Sequence, residues 1–342
     1  MAISSEQNSV GSEVKVIAIK LPFDLQERIL SFPFLHLIRE KYPEAEIHFI
    51  TPKKQIEVLN LLPFTAFYHE FDEDEIENVF DVHRFTATVK IYNVDLFISL
   101  TNSFSDACLG LGLRAKKRMG FSDGWKTMVL THKTPRPVGH HITDDFIALY
   151  HLLDPAPISS RFKVLSREVV AVIDEWDTQP YLAINLSPIF HAGIEDDILE
   201  LINLFEDQRI VLFASEDQEK IHHLIDGVIN RLNKKNTYIN FVHKSWIDLA
   251  KMLAFSRGVI SFNGPLASFS SYVGARSVVL FDTEDPQKHG PLYFLGENLM
   301  LNVNDPIYGA PQTAKGVLKD KKKFRMLEVF GASFEFFKMI MK

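Results

Sequence analysis

Cysteine is almost missing from this chain: 342 residues contain one, Cys108. A single thiol excludes an internal disulfide framework and a multi-cysteine zinc site, and it is compatible with a reducing cytosol. A basic excess is missing too. With a formal net charge of −7, no dominant positive field draws phosphate backbones, so a general nucleic-acid binder is excluded. No apolar run reaches the roughly 18 residues that would suggest a membrane span. Thirteen histidines are present without metal-ligand spacing. His140-His141 and His222-His223 are adjacent, so their side chains diverge, and no metal site is expected. The same geometry makes Asp196-Asp197 a helix start rather than an acid/base dyad. The opening MAISSEQNSVGSE has neither a basic n-region nor an apolar h-region, so residues 1–13 read as a disordered leader and not a secretory signal.

What is present describes a globular α/β protein. Hydrophobic content of 46% with 24% charged residues is ordinary for a soluble domain, and the length exceeds most single cores, so two domains are expected. Val14–Leu21 is an apolar run of strand length. Apolar positions from Ile29 to Ile38 then recur at helical spacing up to the break at Lys41-Tyr42-Pro43, and Glu46–Ile50 is a second strand. Strand, helix and strand within so few residues make a βαβ unit with a right-handed crossover. Lys54–Leu62 reads as helix and Ala66–Glu70 as a short strand. Asp95–Leu100 is a buried strand, followed by a polar Thr101-Asn102-Ser103 loop and a helix through Gly112. Arg118–Phe121 is a further short strand, and His140–Leu153 has helical spacing. The turn-rich Asp154–Ser160 marks the domain border, giving domains over 14–160 and 161–314.

The second half repeats the plan. Tyr181–Leu186, Arg209–Ala214 and Tyr238–Val242 read as strands, with helices over Glu195–Phe205, Glu216–Leu232 and Trp246–Phe255. Alternation in both halves predicts two doubly wound domains, whose ligands bind at the C-terminal ends of the strands and here in the cleft between domains.

One stretch, Gly258 to Pro291, carries the strongest chemical signal. It reads as a strand to Phe262, a turn at Asn263-Gly264-Pro265, a helix with small residues, a second strand over Ser277–Phe281 and a proline-containing loop. Such a turn leaves N–H groups unpaired at a helix N-terminus, where the dipole favours an anion. Pro265 has no N–H, so the donors are Gly264, Leu266 and Ala267. A phosphate-bearing ligand follows.

The order of elements and several local strings resemble glycosyltransferase family 9, the bacterial heptosyltransferases, over roughly Val14 to Pro291. The family's glycine-turn pattern is met at Asn263-Gly264-Pro265, Gly274, Thr283, Asp285-Pro286 and Gly290-Pro291. Pro22 with Leu30-Ser31-Phe32-Pro33, Asp95–Ser103, Arg118 with Gly120-Phe121, His141 with Asp145, and Lys244-Ser245 with Asp248-Leu249-Ala250 also agree.

The resemblance implies a GT-B fold of two facing Rossmann-like domains, the first for the acceptor and the second for a nucleotide-sugar. It implies an inverting transfer of a heptose-like sugar from a nucleotide-sugar, ADP-linked in the first instance, to a lipopolysaccharide-type glycolipid. No metal cofactor is implied, and the location is the cytoplasmic face of the inner membrane. Glu27 matches the family's catalytic acidic residue, the candidate general base, Glu216 a ribose-binding glutamate, and Lys244 and Ser245 groups that reach base or phosphate. Asn263, Gly264, Pro265 and Leu266 match the wall around the diphosphate. Structural readings stand beside each: Glu27 and Glu216 as acids at helix starts, Lys244 as an exposed loop lysine.

The departures are equally specific. Gln26-Glu27 replaces a Gly-Asp pair, Phe23 stands where glycine is expected, and Phe262 and Ala267 replace an aspartate and a histidine. These losses motivate an alternative, a catalytically silent member that binds glycan or a partner protein. The tail, 315–342, is basic and then aromatic. It reads either as a final helix packed on the body or as a surface lying on an anionic membrane.

Overall fold

The structure, a computed structural model, describes residues 14–54, 56–158, 181–186, 209–214, 219–231, 238–241, 245–281, 284–292 and 298–302, with Leu199, Ile202, Asn203 and Phe205 besides. The expected leader over 1–13, the end of the border segment, Glu216, Lys244 and the tail over 315–342 lie outside the described residues.

Twelve described strands form two six-stranded sheets, all of whose pairings are parallel. The first sheet contains β1 (Val16–Lys20), β2 (Glu46–Pro52), β3 (Phe67–Phe71), β4 (Leu96–Ser99), β5 (Lys117–Phe121) and β6 (His132–Thr134), in the order β3-β2-β1-β4-β5-β6. The second contains β7 (Tyr181–Asn185), β8 (Arg209–Phe213), β9 (Tyr238–Phe241), β10 (Gly258–Phe262), β11 (Ser277–Phe281) and β12 (Asn298–Asn302), in the order β12-β11-β10-β7-β8-β9. Numbered from its own first strand, the second order is the first one repeated. Both are doubly wound sheets whose strand order reverses beside the first strand, and ligand crevices open at that reversal. Central strands are mostly apolar because helices cover both faces: β4, β7 and β11 are buried along their whole length, with one polar residue each, Ser99, Asn185 and Ser277.

The helices depart from expectation in informative ways. The single helix expected across Ile29 to Ile38 is two, α1 (Leu25–Leu30) and α2 (Phe32–Lys41), meeting at Ser31. Pro33 has no N–H to return to the carbonyl four residues earlier, so the ladder cannot run through. Lys54–Leu62 forms a 3-10 turn over Ile56–Leu61 rather than an α-helix. Pro63 follows closely, and the residue before a proline is pushed out of the α region, which cuts the segment short at its C-terminal end. An unexpected α3 (Val79–Thr88) begins at an Asn78 cap, whose side chain accepts from Phe80 and Asp81. Its periodicity is hidden because Val79 and Phe80 are exposed while Val82 and Phe85 are buried.

Then come α4 (Phe104–Gly112), α5 (Ile142–Tyr150), α6 (Glu219–Arg231), α7 (Trp246–Phe255), α8 (Pro265–Tyr272) and a short α9 (Pro286–His289). The last lies within the proline-containing loop expected to be irregular. Strands β6 and β12 were also not anticipated. The sequence of β6, His-Lys-Thr, carries no apolar signal because it is an edge strand.

The domains pack on each other through these helices. One apolar cluster runs from Ile17, Ile29 and Phe32 of the first domain to Leu249, Leu266, Phe269 and Tyr272 of the second. Phe32 meets Tyr272 edge to face with ring centroids 4.8 Å apart. Beside that contact, His36 Nε2 and Tyr272 Oη are buried and 3.0 Å apart. Burial drives the His36 imidazole down to about 4, so it is neutral at ordinary pH.

Candidate functional site

The carboxyl ends of β1 and β10 place α1 and α8 against each other across the domain junction. Asp24 caps α1, its carboxylate accepting from the Glu27 N–H at 2.9 Å. The cap and the first-turn acid both suit the positive end of a helix. Glu27 is partly buried. Burial pushes its carboxyl above the usual carboxylate range and neighbouring Asp24 pushes it further, while Arg136, His289 and Lys288 oppose the shift. Two of those opposing groups, Lys288 and His289, belong to the second domain. Glu27 therefore faces the second domain, partly desolvated, with Asp24 on one side and Arg136 and Lys288 opposing it, an environment that tunes a carboxylate toward base chemistry.

The adjoining residue joins the domains. Gln26 Nε2 donates to Asn263 Oδ1 at 3.1 Å and to the His289 carbonyl at 2.9 Å. The expected glycine at this position has no side chain with which to make either bond. Asn263 is engaged on both sides of its amide, since its Nδ2 donates to Glu284. A second bridge lies alongside: His141 Nε2 is 2.8 Å from the Gly290 carbonyl. Gly290 is held closely, because a Cβ there would meet Pro286 O at 2.5 Å and Met300 Sδ at 2.9 Å.

The glycine turn has the expected backbone form. Gly264 is the N-cap of α8 with φ +153°, a conformation that side-chain-bearing residues rarely adopt. Pro265 starts the helix, and no cap side chain bonds to it. Among the described residues the N–H groups of Gly264, Leu266 and Ala267 make no hydrogen bond, as helix geometry requires of a first turn without a cap. The turn can hold an anion through those donors, although Glu284, bound to Asn263, places a carboxylate beside it.

The other expected site residues divide. Ser245 caps α7, accepting from the Asp248 N–H at 3.2 Å and donating to Asp248 Oδ2 at 2.8 Å, so its hydroxyl is spent on the helix. Glu216 and Lys244 lie outside the described residues. Asp95 ties β1 in place, accepting from the Lys15 and Val16 N–H groups and pairing with Lys116 at 2.7 Å. Asp106, at the start of α4, pairs with Lys20 at 3.6 Å. Lys20 is 1% exposed at the end of β1. Burial lowers its ammonium to about 8 despite the attraction of Asp106.

Arg136 carries no motif in the sequence, and Asp145 enters only beside His141 as part of the family resemblance. Arg136 Nη1 lies 3.4 Å from Asp145 Oδ2, and its guanidinium sits 4.3 Å over the Phe121 ring. Burial raises the Asp145 carboxyl to about 6, with Arg136 and Lys288 opposing. The only textual sign of Arg136 was its place in a proline-flanked loop after a polar edge strand. Among the described residues no group of three or more histidine, cysteine or acidic side chains could hold a metal ion. No described helix is long and apolar enough to cross a membrane.

No protein-family model matches this chain, and no curated protein matches it by sequence. Solved structures do match. A glycosyltransferase family 9 protein from Veillonella parvula superposes with a TM-score of 0.73 at 15% identity, over 96% of this chain and 97% of that one. The Escherichia coli ADP-heptose lipopolysaccharide heptosyltransferase II gives 0.68 at 15% identity, over 96% and 100%. The E. coli heptosyltransferase WaaC with ADP gives 0.70 at 13% identity, over 95% and 99%. Two parallel-sheet domains with the same strand order, joined across a cleft, give this chain the GT-B fold of those family 9 heptosyltransferase structures.

Proposed function

We propose that this chain is an inverting glycosyltransferase that moves a heptose-like sugar from a nucleotide-sugar, with ADP as the first base to try, to a lipopolysaccharide-type glycolipid or glycan. The observation that carries the reading is the opposition of Glu27 and the α8 N-terminus across the domain junction, joined by the Gln26–Asn263 bond. The first domain takes the acceptor and the second the donor. Orphan N–H groups at Gly264, Leu266 and Ala267 receive the diphosphate and stabilise it as it leaves. Glu27, ionised, removes the proton from the acceptor hydroxyl as the new glycosidic bond forms. The apolar junction around Phe32, Leu266 and Tyr272 keeps water from hydrolysing the donor. Contact with the cytoplasmic face of the inner membrane, with residues 315–342 as one route, belongs to the same proposal.

Glu27→Gln tests it. With ADP-heptose and a lipid A-type acceptor, turnover should fall by about 100-fold or more while ADP binding stays, as for loss of a general base. Full turnover in this variant removes Glu27 from the mechanism. In the parent protein the acidic limb of kcat/KM should lie above the ordinary glutamate value of 4.5, because burial raises the Glu27 carboxyl. Activity is then lost as pH falls through that raised value.

A second reading, a silent scaffold that binds glycan or protein, is favoured by one observation. The Asn263 amide is fully committed to Gln26 and Glu284, and Glu284 puts negative charge where a diphosphate would sit. Calorimetry with ADP, UDP and GDP sugars separates the two, since a scaffold of this kind binds none of them tightly.

A further inference from the structure

Two buried polar atoms of one ion pair, Arg136 Nε and Asp145 Oδ1, have no hydrogen-bond partner among the described residues. Asp145 is 2% exposed. Buried donors and acceptors are nearly always satisfied in native proteins, by protein groups, ordered water or a ligand, so a complementary group belongs beside these two. Arg136 is not free to swing toward another partner. Its Nη1 is 3.4 Å from Asp145 Oδ2, and the Phe121 ring lies under its guanidinium at 4.3 Å.

The pair stands where the proposed reaction takes place. Asp145 lies in the first turn of α5. That turn is fixed to the helix bearing Glu27, because Thr143 Oγ1 donates to the Leu30 carbonyl at 3.0 Å. It is fixed equally to the second domain, through His141 and the carbonyl of Gly290, two residues past Lys288. Arg136 and Lys288 act on the carboxyls of both Glu27 and Asp145.

The chemistry of the missing partner follows from the two atoms. Nε asks for an acceptor and an ionised Oδ1 asks for a donor. A hydroxyl is both at once and uncharged, whereas a phosphate brings negative charge that Asp145 repels. The charges agree, since Glu27 and Asp145, joined by Asp24 and Asp144, are set against Arg136 and Lys288 with no positive surplus for an anion.

We propose that Arg136 and Asp145 form a hydroxyl-binding subsite that grips a neutral sugar ring next to Glu27. The subsite deepens the transferase reading and rests on it. It adds that the sugar is recognised here through an uncharged hydroxyl and not through an acidic or phosphorylated substituent.

The experiment uses the full-length protein and saturation-transfer NMR with three probes: the methyl glycosides of mannose, glucose and glycero-manno-heptose. Inorganic phosphate serves as a fourth, contrasting ligand, and ADP calorimetry runs in parallel. At least one glycoside should bind. Arg136→Lys, which keeps the charge but loses Nε, and the isosteric Asp145→Asn should each weaken it about tenfold or more, as for loss of a hydrogen bond to a charged group. ADP affinity should not change. Absence of glycoside binding, glycoside binding that both variants retain in full, or phosphate competing for the glycoside would each overturn the subsite. If Asp145→Asn does not fold, Arg136→Lys decides alone. Failure of ADP to bind would instead refute the donor reading, so the two failures are separately visible.

Discussion

Acid should loosen the joint between the domains through His36. This imidazole is buried, with Nε2 3.0 Å from the Tyr272 hydroxyl, and burial lowers it from 6.5 to about 4. Burial also pushes the Tyr272 phenol up, so the hydroxyl keeps its proton and can donate to the neutral ring. Because the folded value is the depressed one, the unfolded chain takes up its proton first as pH falls. The contribution is therefore fully present above 6.5 and is lost progressively down to about 4. A difference of roughly 2.5 units at about 1.4 kcal/mol each gives about 3 kcal/mol. Urea unfolding followed by fluorescence, at several pH values between about 7.5 and 4.5, measures the slope. Other histidines contribute to that slope, since His69 is also lowered to about 4. The quantity that matters is thus the difference between the parent and His36→Gln, which cannot titrate. The variant should be less stable at neutral pH and distinctly flatter in acid. If the two proteins lose stability in parallel below pH 6.5, the account of His36 is refuted.

Two further outcomes follow from buried features nearby. Lys20→Met removes the ion-pair partner of buried Asp106, with the field of Lys126 remaining, and should cost about 3 kcal/mol by urea unfolding, with most of it recovered in the Lys20→Met, Asp106→Leu double variant. A double variant no better than the single would show that the pair has no mutual role. Gly264→Ala should lower Tm by an amount equivalent to about 1–3 kcal/mol, from backbone conformation alone, because an added Cβ meets nothing within 4 Å. An unchanged melting curve would mean that the turn does not need the +153° conformation in solution.

The chemistry of the candidate site was legible in the sequence to very different degrees. The Asn263-Gly264-Pro265 turn could be read directly, because a left-handed backbone and a proline at the first helical position leave a local trace. Glu27 could be read as an acid at a helix start. Its burial and the groups that oppose the resulting shift could not, because Arg136, Lys288 and His289 are more than a hundred residues away along the chain. Ser245 shows the converse. Its sequence neighbourhood suggested ligand contact, yet the local demand of an uncapped helix claims its hydroxyl.

The sequence by itself determined the alternation of buried strands and amphipathic helices in both halves, and hence two doubly wound sheets. Burial on both faces makes parallel strands apolar at nearly every position, and that pattern needs no partner to be seen. Only the tertiary structure decided which polar groups meet. It turned Gln26 into a bridge to Asn263 and His289, set Arg136 against Asp145 over Phe121, and buried Lys20 beside Asp106. These pairings depend on how helices from two separately wound sheets pack together. The energy of that packing resides in contacts such as Phe32 with Tyr272, 240 positions apart, and no local pattern encodes it.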